Sequence, residues 1–285
     1  MKETLKSWLE KAGPCLPHAL KMQLARRSSK WGHLLRSDGD FIFDRYLGSY
    51  RININARHNI DREMLASTYE PGLQKIIQQQ VAPGDVCIDV GANFGAITLA
   101  LCRQVGASGK VISFEPGPTY YHRLCANLRL NKSLEKIAEP YALGISNRAG
   151  ELFWTEDVKA PGNAGLLGKH GVAVPVTTLD RFAEKQQWDR VSFIKIDTEG
   201  METEVLEGAR QVISRFRPKI VFETLMDFET ILGRPIRQEA ETLLKSLGYE
   251  IYEILDDGSI RKTAYPHFGL NSLALPVNDA GSPSA

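Results

Sequence analysis

The chain has 285 residues, of which 43% are hydrophobic and 24% are charged, and its formal net charge is +1. This length can bury the core of one large domain, and the near-neutral charge excludes a global electrostatic attraction to nucleic acid or to anionic membranes. The four cysteines form no CxxC pair and the six histidines show no HxH or HxxxH spacing, which indicates reduced thiols and no zinc site.

The first 69 residues are predicted to form a helical and β cap rather than a separate domain. Residues 1–36 hold eight Lys or Arg and two Glu, and short β-like segments follow at 41–43 and 51–55. Such a basic stretch is typical of a solvated helix, with peripheral contact to a membrane or to RNA phosphates as the alternatives. No run approaches the roughly 18 apolar residues of a membrane span, and no secretion signal is present, so we expect a cytoplasmic protein.

Residues 70–277 alternate strand and helix patterns and are predicted to form one domain, followed by a flexible tail at 278–285. The predicted strands are 85–90, 110–114, 137–143, 191–196, 219–223, 249–255 and 270–275, and the predicted helices are 70–80, 94–105, 119–131, 201–216 and 235–247. This order predicts a Rossmann-like α/β fold with a mostly parallel seven-stranded sheet and an antiparallel C-terminal edge strand. Residues 151–176 are predicted to form an inserted hairpin whose Gly-rich loop, 161–171, approaches the active site.

A glycine-rich turn follows the first predicted strand of this domain. It has the pattern Asp89-x-Gly91-Ala92-x-x-Gly95 instead of the GxGxxG of dinucleotide sites. A carboxylate two residues before the first glycine would repel a diphosphate, but it suits a ligand with an ammonium and a sulfonium group, such as S-adenosylmethionine. Glu115 ends the next strand, where a carboxylate can accept hydrogen bonds from ribose hydroxyls. The alternative is that Asp89 and Glu115 only cap turns.

With these motifs the sequence resembles the FkbM family of methyltransferases, over about residues 70–225. The matching segments are 83–85, 88–95, 114–116, 142–144 with Gly150, 178–180, 194–202 and 205–209. The block Lys195-Ile196-Asp197-Thr198-Glu199-Gly200 is the most specific of them, although the family more often has Val at the position of Thr198.

The resemblance implies a class I methyltransferase fold and methyl transfer from S-adenosylmethionine, usually to a hydroxyl of a sugar or another natural product. By position in the family motifs, the residues expected to contact the cofactor are Asp89, Gly91, Ala92, Asn93, Gly95, Glu115, Pro116, Ala142, Leu143 and Asp197. Those from Asp89 to Gly95 would surround the methionine part. Glu115 would hold the ribose, and Ala142 with Leu143 would lie near the adenine.

The expected catalytic residues are Lys195, Asp197, Glu199 and Glu223, which lie at neighbouring strand ends in the methyltransferase topology. An alcohol needs a base or a metal ion to become a good nucleophile, so Asp197, Glu199 and Glu223 are candidates for a base or for ligands of a divalent metal. Lys195 lies in a nearly buried strand and therefore needs a carboxylate partner. In the alternative, Asp197 binds cofactor, Glu199 caps the next helix and Glu223 pairs with Lys195.

Three other functions are open at this point. A nicotinamide dehydrogenase is disfavoured by Asp89 and by the missing GxGxxG, and a non-catalytic S-adenosylmethionine-binding protein would bind without turnover. An RNA 2′-O-methyltransferase would place two lysines around an acid, but no second lysine accompanies Lys195 near Glu223. We therefore expect a small-molecule or saccharide hydroxyl acceptor and no nucleic acid; Tyr69 and Glu70 are placed near the substrate entrance, and the oligomeric state is left open.

Overall fold

The structure, a computed structural model, describes residues 41–55, 61, 64, 69–134, 136–156, 164–165, 171–224, 233–262 and 269–277. The predicted basic N-terminal helix and the predicted tail lie outside these residues.

Strands and helices alternate through most of the described chain. The strands are β1 (Phe41–Tyr46), β2 (Tyr50–Ile54), β3 (Val86–Val90), β4 (Lys110–Phe114), β5 (Ala138–Tyr141), β6 (Gly144–Ile145), β7 (Gly150–Glu156), β8 (Ala164–Gly165), β9 (Val172–Thr177), β10 (Phe193–Ile196), β11 (Lys219–Glu223), β12 (Tyr249–Ile254), β13 (Ile260–Lys262) and β14 (Asn271–Pro276). The α-helices are α1 (Pro71–Gln80), α2 (Ala96–Val105), α3 (Pro118–Arg129), α4 (Leu179–Lys185), α5 (Glu202–Glu207), α6 (Arg210–Phe216) and α7 (Ile236–Ser246).

The central sheet has eight strands in the order β13-β12-β14-β11-β10-β3-β4-β5. The five strands from β11 to β5 are parallel, as the alternating pattern predicted. β3 is buried along its whole length because helices cover both faces of the sheet, and its sequence is accordingly almost entirely apolar. The Rossmann-like α/β class is confirmed, and so is the predicted neighbourhood of β3, β10 and β11.

The C-terminal end of the sheet differs from the prediction of seven strands with an antiparallel edge. β14 is antiparallel but lies between β11 and β12, and β13 is an eighth strand that occupies the edge. The physical reason is burial: Leu273 and Ala274 of β14 have no solvent exposure, so this strand belongs between two neighbours. All three residues of β13 are exposed, as an edge strand tolerates.

The predicted helix 201–216 is divided into α5 and α6. The break lies at Gly208, where a Cβ would come within 2.1 Å of the Ser146 carbonyl oxygen. The close approach of this turn to the loop after β6 therefore excludes a side chain and interrupts the helix.

The hairpin of β1 and β2 packs on α3 and on the turn that follows it through two asparagines. Asn127 Oδ1 accepts from the Asn53 N–H at 2.7 Å, and Asn131 exchanges hydrogen bonds with the backbone of Arg51. Tyr46 adds a bond from its hydroxyl to the Ala96 carbonyl oxygen at 3.2 Å. The division of the chain into a cap of residues 1–69 and a domain that begins at residue 70 stays a prediction.

A second, four-stranded sheet in the order β6-β9-β7-β8 is inserted after β5. β7 and β9 form the antiparallel hairpin that the sequence predicted. Most of the Gly-rich loop at 161–171 lies outside the described residues, so its approach to the active site stays a prediction.

Gly91 joins β3 to the turn that follows it and is required there for two reasons. Its φ is +79°, and a Cβ on it would lie 1.7 Å from the Asp197 carbonyl oxygen. The loops after β3 and β10 therefore touch backbone to backbone, which only glycine permits.

We expect Gly91→Ala to lower the free energy of unfolding by about 3 kcal/mol or more, because left-handed strain and overpacking add. The matched control is Gly48→Ala, with φ +85° and no heavy atom of the described residues within 4 Å of the added Cβ, which should cost about 1–2 kcal/mol. Urea unfolding of both variants measures the difference; equal destabilisation would contradict the close approach.

Candidate active site

The carboxyl ends of the parallel strands gather acidic side chains at one edge of the sheet. The Asp197 N–H donates to the Val90 carbonyl oxygen, and the Gly91 and Ala92 N–H groups both donate to the Phe114 carbonyl oxygen, each at 3.0 Å. These bonds hold the loops after β3, β4 and β10 together, which is the usual position of a ligand site in an open α/β sheet.

Asp89 is completely buried in β3. Its Oδ2 accepts from the Thr98 hydroxyl at 2.6 Å, and Thr98 in turn lies 3.0 Å from the Ser113 hydroxyl. Its Oδ1 is buried and has no hydrogen-bond partner among the described residues. Burial raises the pKa of Asp89, against the opposing effects of Lys195 and Thr98. A buried carboxylate oxygen without a donor is costly, so Oδ1 is suited to accept from a ligand.

Lys195 is the buried cation of this edge, with 2% of its surface exposed. It is paired in register with Asp89 on the neighbouring parallel strand, and its Nζ lies 2.8 Å from Asp197 Oδ2. Burial acts to lower the pKa of Lys195, but the charges of Asp197, Asp89 and Glu70 together raise it above its usual range. The predicted carboxylate partner is confirmed, and it is Asp197 rather than Glu223.

Glu115 is the carboxyl group at the end of β4, and only 2% of it is exposed. Its Oε2 accepts from the Asn93 N–H and its Oε1 from the Gly117 N–H, both at 2.8 Å. Burial raises the pKa of Glu115 to about 7, and the two backbone hydrogen bonds oppose this rise. The side chain thus caps the turn, as the alternative interpretation stated, yet each carboxylate oxygen retains a lone pair for a further donor.

The other predicted cofactor residues surround these two acids. Gly91 and Asn93 are half-buried and have positive φ, and Gly95 begins α2 in the left-handed conformation. Pro116 follows Glu115 and is half-buried, whereas Ala92 is buried. After β5, Ala142 is exposed and Leu143 is half-buried. Their contacts with a cofactor stay predictions.

Three further carboxyl groups lie close enough to Asp197 to influence one another. Burial raises the pKa of Glu199 to about 8, and Asp197 adds to the rise. Burial likewise raises the pKa of Glu223 well above its usual range, with Asp197 and Glu199 contributing. From outside the sheet, Glu70 accepts from the Asn271 amide at 3.1 Å, and burial with Asp197 raises its pKa to about 7.

We call Glu70, Asp89, Asp197, Glu199 and Glu223 the acidic cluster. Tyr69 also belongs to its surroundings, because burial and the charges of Glu70 and Asp197 raise the tyrosine's pKa. Among the described residues, no group of three or more His, Cys, Asp or Glu side chains has an arrangement that could hold a metal ion. The structure therefore gives no support to Asp197, Glu199 and Glu223 as metal ligands.

Glu202, rather than Glu199, holds the loop after β10. Its Oε1 accepts from the Thr198 N–H at 2.8 Å, from the Thr198 hydroxyl at 3.0 Å and from the Gly200 N–H at 3.3 Å. Met201 is the N-cap residue of α5, and no side chain caps it. Glu199 is thereby left in a left-handed conformation, with φ +55°, and without a capping role.

The sheet is doubly wound, a glycine-rich turn that follows Asp89 ends β3, and Glu115 ends β4. These features define a Rossmann-like class I methyltransferase. The chain belongs to the FkbM methyltransferase family, because the model of the methyltransferase FkbM domain matches residues 89–251, more than half of its length. The protein is therefore a methyltransferase.

Two sequence relatives of the chain are also named as methyltransferases. Methyltransferase sdnD of Sordaria araneosa is 29% identical over 197 residues, which are 58% of this chain and 73% of that protein. Hexuronic acid methyltransferase AglP of Haloferax volcanii is 25% identical over 140 residues, 49% of this chain and 56% of that protein. The solved FkbM methyltransferase of Methylobacillus flagellatus KT has 15% identity and a TM-score of 0.46, over 90% of this chain and 58% of its own.

In the part of the chain that the structure describes, no helix has both the length and the hydrophobicity needed to cross a bilayer. The compartment itself stays a prediction.

We expect Lys195→Met to lower the free energy of unfolding by about 3 kcal/mol at pH 8, because it leaves buried carboxylates without their cation. The loss should shrink toward pH 5, since a protonated carboxyl needs no counter-charge. The control is Lys110→Met, which removes an exposed pair with Glu139 (2.7 Å) and should cost under about 1 kcal/mol. Equal effects of the two substitutions in urea unfolding would rule out the buried role of Lys195.

Proposed function

We propose that the protein transfers the methyl group of S-adenosylmethionine to a hydroxyl oxygen of a small molecule or saccharide. The observation that carries this proposal is the fully buried Oδ1 of Asp89 beside the turn at Gly91, which has no hydrogen-bond partner among the described residues. A ligand with a positive charge would satisfy that oxygen, and the capped carboxylate of Glu115 can still accept from vicinal hydroxyls. The residues present therefore fit this methyl donor.

The residues from Asp89 to Gly95 would hold the methionine part of the donor, Glu115 the ribose, and Ala142 with Leu143 the adenine. S-adenosylmethionine supplies an electrophilic methyl group on a sulfonium sulfur. The protein must then align an acceptor oxygen with that methyl group and take up the proton of the acceptor hydroxyl.

We assign to Asp197 the role of the base that accepts the proton of the acceptor hydroxyl. Lys195 fixes its position through Oδ2 at 2.8 Å, and free lone pairs of the carboxylate can accept the proton of an acceptor hydroxyl. Burial and the neighbouring Asp197 raise the pKa of Glu223, which favours a protonated form that can donate to Asp197. Glu199 and Glu70 lie within electrostatic reach of Asp197 and are assigned to contacts with acceptor hydroxyls.

The chemistry of the acidic cluster bears on the choice of acceptor. Carboxyl groups, protonated or not, offer no cation to an RNA phosphate, and the buried Lys195 beside them is already paired with Asp197, which disfavours an RNA 2′-hydroxyl as the acceptor. A hydroxyl-rich acceptor can donate to these oxygens instead. The relative named as a hexuronic acid methyltransferase adds support for a saccharide.

Asp89→Asn and Glu115→Gln should each weaken binding of S-adenosylhomocysteine at least tenfold, about 1.4 kcal/mol, in calorimetric titrations. The matched controls are Asp85→Asn and Glu139→Gln, since Asp85 caps the turn before β3 and Glu139 lies exposed on β5. Unchanged affinity in both site variants would contradict the proposed cofactor site.

Asp197→Asn should lower kcat about 100-fold or more, the usual contribution of a positioned base, while S-adenosylhomocysteine affinity changes only a few-fold. Turnover would be followed with radiolabelled S-adenosylmethionine, using an acceptor selected from a panel of free sugars, methyl glycosides and hexuronic acids. An affinity loss as large as the loss of kcat would make Asp197 a cofactor ligand and not the base.

A further inference from the structure

The inserted four-stranded sheet packs an apolar cluster against the loops of the active-site edge. Tyr120, Trp154, Val174 and Val176 form its buried part, and Leu152 and Met201 pack on them. Tyr120 lies in α3, just after the Glu115 turn, and Met201 follows the loop after β10. The cluster therefore connects two of the loops that line the proposed site.

Trp154 lies directly beside the carboxyl group of Glu115. A Cβ built on Gly117 would come within 2.4 Å of Trp154 Cζ2, 2.5 Å of its Cε2 and 2.9 Å of Glu115 Oε1. The φ of Gly117 is −68°, which any residue can adopt. Glycine is thus needed at this position to admit the indole ring and not for a special backbone conformation.

The indole N–H of Trp154 is buried and has no hydrogen-bond partner in the described part of the chain. Trp154 is 8% exposed, and its ring meets Tyr120 edge-on at 6.3 Å between centroids. Packing alone would be served equally well by phenylalanine, whereas buried indole N–H groups normally find an acceptor. The unpaired donor is therefore explained best by a ligand that supplies the acceptor.

We infer that Trp154 is a binding residue for the adenosine half of the methyl donor, with its N–H donating to an adenosine nitrogen or ribose oxygen. This inference rests on the proposed function, because that function places the ribose at Glu115. The inference also gives the inserted sheet a role, since β7 carries Trp154, which closes the site beside Glu115.

The test is Trp154→Phe, which keeps the aromatic packing and removes the donor. S-adenosylhomocysteine binding, measured by calorimetry, should weaken roughly three- to tenfold, the range of one net hydrogen bond. The quenching or enhancement of tryptophan fluorescence by the ligand should also be lost. The control is Trp188→Phe, whose ring packs on Phe182 instead and which should retain both the affinity and the fluorescence response.

Gly117→Ala is the second variant, in case Trp154→Phe does not fold. Its added Cβ displaces the indole while an allowed φ is kept, so binding should weaken again. Wild-type affinity in the variant that folds, with an intact fluorescence response, would overturn the role of Trp154. If Glu115→Gln still weakens binding in that case, the proposed function survives alone; if the wild-type chain binds no S-adenosylhomocysteine, both fall.

Discussion

The ion pair between Lys195 and Asp197 is the interaction on which the active-site edge depends. A lysine with 2% exposure, in register with Asp89 on the next strand, is stable only because carboxyl groups surround it. Without that cation, Asp89 and Asp197 would repel each other at the centre of the sheet. With it, one charge holds in place both the acid assigned to cofactor binding and the acid assigned to the proton of the acceptor.

Close contacts between backbone groups and their neighbours hold the loops around this ion pair. Gly91 touches the backbone of Asp197, Glu202 fixes the loop at Thr198 and Gly200, and Gly117 admits the ring of Trp154. Each contact positions a carboxyl-bearing loop relative to its neighbour. The site is therefore preorganised by the sheet and its turns, and in the proposed function acceptor selection falls to residues that approach from outside, such as Glu70 at the start of α1.

Local pattern was sufficient to predict the elements that carry the site. The apolar run before Asp89, the glycines after it and the acid at Glu115 are short-range signals, and the structure brings them to one edge. The position of β14 could not be predicted, because it depends on which strand best buries Leu273 and Ala274. The burial of the Trp154 N–H without a hydrogen-bond partner among the described residues arises from packing between segments distant in sequence, which no local period records. The capping role of Glu202 is local, two to four residues from its donors, but Glu199 offers the same carboxyl group beside it and the pattern does not distinguish the two.

A crystal structure with S-adenosylhomocysteine tests the proposed cofactor site. The ligand's ammonium group should lie in the acidic cluster within hydrogen-bond distance of Asp89 Oδ1, and both ribose hydroxyls should donate to Glu115. The Lys195 to Asp197 pair should remain intact beside the ligand. Density for the ligand away from the turn at Gly91, or without contact to either Asp89 or Glu115, would contradict this site.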